Sequence, residues 1–210
     1  MFPFLRGDRG RHRIANLHLL SGNKPMTDPA ASLSPRVPAL AALLFFIPVV
    51  VSFAVAPGMW WINYPGILFH LAIFLLVSKL DAPEWARAAG YGWILLDVTT
   101  GVMTMGNVAH NIAYFERYGG HIFAGIWFVT VSLPGSRAVR ITGVLAGALL
   151  FSYSFVTRFV PAVALSATSP LILIWLGLVA WQNGVRRVTA SRSTAALGAT
   201  QAPALAGDRL

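Results

Sequence analysis

The sequence has no cysteine. A disulfide scaffold, a thiolate metal site and a cysteine nucleophile are therefore excluded. Charge is scarce too. Only 11% of the 210 residues are charged, and only seven are acidic. A soluble domain typically carries about 25% charged and about 45–50% apolar residues. Here 56% are apolar and the mean hydropathy is +0.66. This balance points to a membrane protein and excludes a wholly disordered chain. Catalytic signatures are missing as well: there is no phosphate loop, no dinucleotide fingerprint, no His-Glu-x-x-His and no Gly-x-Ser-x-Gly. The turn Leu133-Pro134-Gly135-Ser136 has a serine but no matching His–Asp context. No stretch is long enough for a conventional soluble active site, so any chemistry must lie inside the helices or at their mouth.

What the sequence does contain is long apolar runs. A bilayer core of about 30 Å takes roughly 17–25 helical residues to cross. Six segments qualify: 37–56, 61–80, 90–109, 120–133, 141–163 and 170–185, the fourth being short but extendable at both ends. Pro48 should kink the first span. Trp60, Trp61 and Tyr64 sit where an interfacial aromatic belt belongs, and Pro170 occupies a favoured first-turn position. The expectation is an all-α, polytopic membrane bundle over residues 37–187. Residues 1–36 read as a basic, largely disordered arm, with Met26 a more typical natural start than Met1. The alternative for that arm is contact with an anionic inner leaflet. No apolar run follows its arginines, so no secretory signal is expected. Residues 188–210 read as a disordered cytoplasmic tail.

The net charge of +9 would suggest nucleic acid in a soluble protein, but its distribution follows the spans. With both termini inside, all sixteen basic residues except Arg117 and Arg158 fall on the inner side. That is a strong positive-inside asymmetry, and it survives removal of residues 1–25. It places the chain in an inner (plasma) membrane, with lipid and not nucleic acid as its surroundings.

The third span is the most polar. Asp97, Thr100, Thr104, Asn107 and Asn111 recur in steps of three and four from Trp93, as one helical stripe. Leu95, Val98, Val102 and Met105 form the opposite face. A charged Asp near the bilayer centre costs about 2.5–3.5 kcal/mol on insertion scales, so Asp97 should face the interior, find a partner or be protonated. It reads as a proton carrier, a general acid or an anchor for a ligand. The bland alternative is helix packing, with the threonines as interhelical glue. His70, at middle depth in the second span, is the plausible partner, and imidazole titrates near neutral pH. Arg158 either snorkels outward or turns in toward Asn107, Asn111 or Glu116.

His110, Asn111, Glu116 and His121 cluster in the expected outer loop with ligand-type side chains but no tight metal spacing. His70, His110 and His121 raise the idea of haem ligation, but His70 should lie deeper than the other two. No metal or cofactor is expected. Phe69, Phe74, Trp93, Phe123, Trp127 and further span aromatics suit either lipid contact or a cavity for a lipophilic molecule. Gly143 and Gly147 form a Gly-x-x-x-Gly pair that allows close helix approach, within the bundle or in a homo- or hetero-oligomer.

Three readings of function follow. One is a membrane protein that binds or passes a small ligand or a proton at an interior site centred on Asp97. Another is a membrane-embedded isomerase or cyclase acting on an isoprenoid-like substrate, with Asp97 as acid. The last is a structural subunit docking through the Gly143/Gly147 face. The second half carries Gly125-Ile126-Trp127, a basic turn from Arg137 to Arg140, Gly143-Val144-Leu145-Ala146-Gly147 and Pro170-Leu171-Ile172-Leu173-Ile174-Trp175. Over residues 119–187 it resembles small six-span integral membrane proteins of high-GC bacteria. That resemblance implies a six-helix fold and lends no activity.

Overall fold

A computed structural model describes residues 33–55 and 59–201. The expectations for most of the N-terminal arm, for Met26 and for residues 202–210 lie outside the described residues. Six helices follow one another: α1 (Arg36–Val55), α2 (Asn63–Lys79), α3 (Glu84–Met105), α4 (His110–Ser132), α5 (Arg137–Val156) and α6 (Thr168–Gln201). A 3-10 turn, Trp60–Ile62, leads into α2, and another, Ala162–Ala167, leads into α6. The described residues contain no strand. Each helix packs on its neighbours in sequence, and α1 packs on α6, so the six close into a ring. Short links make neighbours antiparallel. Both 3-10 turns therefore sit at one end of the ring, with the start of α4.

Four segments are long and apolar enough to cross a membrane: Arg36–Phe53, Trp60–Lys79, Arg137–Val156 and Ala164–Gly184. Helices α3 and α4, of 22 and 23 residues, fall short in hydropathy and not in length. Their outward sides are apolar: Leu95 and Val102 on α3, and Ile112, Phe115 and Phe123 on α4, are all exposed. Exposed Leu44, Leu71, Leu145 and Ile174 do the same on the other four helices.

Lipid is as apolar as leucine, so helices in a membrane associate through packing and small residues. The closest approach joins α4 to α5. A β-carbon at Gly125 would stand 2.7 Å from the Gly147 carbonyl oxygen, and one at Gly147 would stand 2.8 Å from that of Gly125. Gly143 leaves room for Ser132 Oγ, which accepts a 2.8 Å hydrogen bond from Trp175 Nε1. The Gly143/Gly147 face is thus occupied by α4 of the same chain. One half of the ring is filled by Trp127, Phe128 and Trp175, all fully buried, with Trp93 against them. Trp93 stands 5.8 Å from Trp127 and 5.5 Å from Phe128, and Phe128 stands 4.9 Å from Trp175. Aromatic pairs of this kind contribute about 0.5–1.5 kcal/mol each beyond burial.

Several boundaries differ from the sequence expectation. α3 stops at Met105 and not at residue 109. Asn107 has a φ of 56°, and the amides of Asn107 and Val108 bond back to the carbonyls of Thr104 and Met103. This is a left-handed helix stop, which Asn tolerates better than most residues. α4 begins at His110, so the expected outer loop is largely helix. α5 stops at Val156, where the approach to Pro161 disfavours further helix. α6 continues to Gln201, so the first part of the expected disordered tail is helical. Ala190, Ala195, Ala196 and Ala199 in that stretch are strong helix formers.

Candidate functional site

Asp97 lies on α3, two turns before its stop, and is 7% exposed. Its Oδ2 accepts hydrogen bonds from Trp93 Nε1 at 2.6 Å, one turn earlier on the same helix. His70 Nε2 on α2 meets the same oxygen at 3.0 Å. The other ring nitrogen, His70 Nδ1, lies 2.7 Å from the Gly66 carbonyl oxygen. A carbonyl only accepts, so Nδ1 must donate. Two lone pairs will not face each other at 3.0 Å, so a proton lies between Nε2 and Asp97. The pair is either imidazolium with carboxylate or imidazole with carboxylic acid. Gly120 on α4 makes the pocket for the other carboxylate oxygen: a β-carbon there would stand 3.0 Å from Asp97 Oδ1.

This pair lines a cavity of about 620 Å³ to which all six helices contribute. Its floor is Trp93, above the aromatic fill. It reaches the end of the 3-10 turns, where Ile62, Leu165 and Ser166 border it. Phe46 and Phe69, stacked at 4.5 Å, form an apolar wall. Helix α4 adds Tyr114, Arg117, Tyr118 and His121, α5 adds Tyr153, and α6 adds Thr168 and Ser169. Ser154 Oγ donates to the Tyr118 carbonyl at 2.9 Å and ties α5 to α4 beside the cavity. Three buried polar atoms on lining residues have no protein partner: Asp97 Oδ1, His121 Nδ1 and Thr168 Oγ1. His121 is 7% exposed and Thr168 2%.

Of the residues singled out in the sequence, the structure brings His70 to Asp97 and puts His121 on the same cavity. Thr100 is buried one turn beyond Asp97, but its hydroxyl bonds the Leu96 and Ala113 carbonyls and serves the α3–α4 contact. Thr104 is exposed and bonds its own helix at the Thr100 carbonyl. Asn107 is the helix stop. Asn111 is exposed on α4, where it borders a shallow recess with Glu116. Arg158 is exposed in the turn after α5 and does not line the cavity. The six-position stripe is therefore corrected: it needs one continuous helix, and α3 stops before Asn107.

Sequence reasoning missed Tyr114, Arg117, Tyr118, Tyr153, Thr168 and Ser169. A signal existed on α4. Tyr114, Arg117, Tyr118 and His121 are spaced along one helical face, but only if residues 110–119 are read as helix. The depth argument that separated His70 from His121 is corrected as well, since both line the same cavity. Haem ligation by His70 does not fit the geometry, because both of its ring nitrogens are engaged. Among the described residues no group of three or more His, Asp or Glu is placed to hold a metal ion. No protein-family model matches the chain, and comparison with curated proteins and with solved structures returned no match.

Proposed function

We propose that this chain crosses the plasma membrane six times, with both termini cytoplasmic, and binds a small molecule in its cavity at the His70–Asp97 pair. The outward apolar side chains of α3 and α4 support six spans, and the distribution of basic residues supports the orientation. In that orientation the cavity reaches toward the outer side. The observation that carries the binding reading is the cavity of about 620 Å³ lined by the His70–Asp97 pair, Arg117 and His121. The aromatic floor supports holding a ligand over passing one through. The resemblance to small six-span bacterial proteins agrees with this architecture and adds nothing about the ligand.

Native mass spectrometry on protein extracted gently from its own membrane tests this reading. A bound small molecule is expected in the wild type and depleted in Asp97→Asn, with helix content unchanged. A wild-type chain carrying only bulk lipid, or a ligand retained equally by the variant, would sink it.

The proton between His70 and Asp97, facing apolar walls, favours a second reading as an acid acting on a lipophilic substrate. Under that reading, a strain lacking the protein accumulates a lipid precursor. An unchanged lipid profile removes it.

A further inference from the structure

We propose that the occupant of this cavity is a lipophilic monoanion, a single-bodied acid whose charged head sits against Arg117 and whose body lies along the Phe46–Phe69 wall. This inference rests on the ligand-binding reading above and assigns the ligand its chemical class.

The argument is a charge count. Among the described residues Asp97 is the only acidic one lining the cavity. The Gly66 carbonyl makes His70 Nδ1 a donor, so a proton must lie between His70 Nε2 and Asp97. With that one proton the pair is neutral wherever it resides, and any further proton makes it positive. Asp97 therefore has no negative charge left over to balance another residue. Arg117 also lines the cavity, and a guanidinium is always charged. Among the described residues it has neither an ion-pair nor a hydrogen-bond partner. Its neighbour Glu116 borders a different recess, with Met103, Asn111, Ile112 and Phe115, and forms no ion pair with it. His121 adds either nothing or a second positive charge. The cavity thus carries at least one uncompensated positive charge on the half-buried Arg117, and an unpaired charge partly withdrawn from water is costly. A cation would add to it, and a neutral ligand would leave it. A monoanion cancels it. The volume of about 620 Å³ lies within the roughly 300–1,000 Å³ of pockets that enclose drug-sized molecules. It suits one apolar body better than the two chains of a phospholipid.

Three probes that differ only in the head group test this: pyrenebutyrate, pyrenebutanol and pyrenebutylamine. The full chain is placed in nanodiscs of zwitterionic phosphatidylcholine, with empty discs as the partition blank. Binding is read as saturable energy transfer from tryptophan to pyrene. The acid should bind about ten- to a hundredfold more tightly than the alcohol or the amine, the range for hydrogen bonds to a charged group. Arg117→Gln should erase that preference and Arg117→Lys should keep it. Pyrenebutanol binding reports whether the Arg117→Gln cavity is still formed. Equal or tighter binding of the alcohol or amine, or an acid preference that survives Arg117→Gln, overturns the monoanion while leaving ligand binding intact. No saturable transfer from any probe overturns ligand binding itself. Phosphatidylglycerol added to the discs separates the sources: competition with pyrenebutyrate assigns the head to a membrane lipid and overturns the single-bodied acid, whereas no competition supports it.

Discussion

At the scale of single residues, the site rests on one carboxylate oxygen. Asp97 Oδ2 meets both Trp93 and His70, so a change at any of the three disturbs the other two. The His70 and Asp97 side chains should be energetically coupled. A double-mutant cycle with His70→Gln and Asp97→Asn, read by unfolding in mixed micelles, should give an interaction of about 0.5–3 kcal/mol. Additive single effects would mean that the contact contributes nothing. This pairing was legible in the sequence, because Asp97 and His70 lie near the middle of consecutive apolar segments joined by a short link. Arg117 was not. With the fourth span begun at residue 120, Arg117 became a loop cation, although Tyr114, Tyr118 and His121 share its helical face. A one-dimensional hydropathy reading ends a helix where polarity rises, whereas the backbone needs only local helical geometry and a place to put its polar side chains.

At the scale of elements, the α4–α5 contact is the tightest in the ring and depends on the absence of side chains. Gly147→Ala would push a methyl group into the Gly125 carbonyl, where only backbone movement gives relief. The expected loss is about 1–3 kcal/mol, the usual range for overpacking. Gly177 is the control. It lies within α6 with nothing within 4 Å of the position a β-carbon would take, so Gly177→Ala should be neutral or gain about 0.5–1 kcal/mol. Thermal unfolding of the two variants in one detergent checks the contrast, and equal midpoints would remove the close-approach argument. The Gly-x-x-x-Gly spacing identified this face in the sequence. Only the structure says that it meets Gly125 and Ser132 of α4. A glycine face fits any helix that offers a matching small residue, and its own sequence does not name the partner.

At the scale of the whole molecule, the natural absence of cysteine makes topology directly measurable. Single cysteines placed at Ala82, Val108, Pro134 and Phe159 lie in four successive links of the ring. With six spans, a membrane-impermeant maleimide added to intact cells should label Val108→Cys and Phe159→Cys but neither Ala82→Cys nor Pro134→Cys. Labelling of Val108→Cys and Pro134→Cys from the same side would show that α4 does not cross. The test bears most on α3 and α4, the two helices whose mean hydropathy is too low to declare them spans. Part of their polarity, Asp97 on α3 and Arg117 and His121 on α4, lines a cavity that the other four helices help to enclose.

The sequence by itself determined the all-helical class, the number of helices and the distribution of basic residues among the links. These properties are local or additive along the chain: helix length against apolar content, and the count of charge in each link. The tertiary structure decided which polar residues share a cavity. It brought in Arg117, His121, Thr168 and the tyrosines, and left Thr104, Asn107, Asn111 and Arg158 outside. In a soluble helix the apolar stripe marks the inward face. On α1, α2, α5 and α6 outward and inward faces are both largely apolar, so there the pattern does not show which way a helix is turned. That rotation is set by close glycine contacts and interhelical hydrogen bonds, which exist only once the ring is closed.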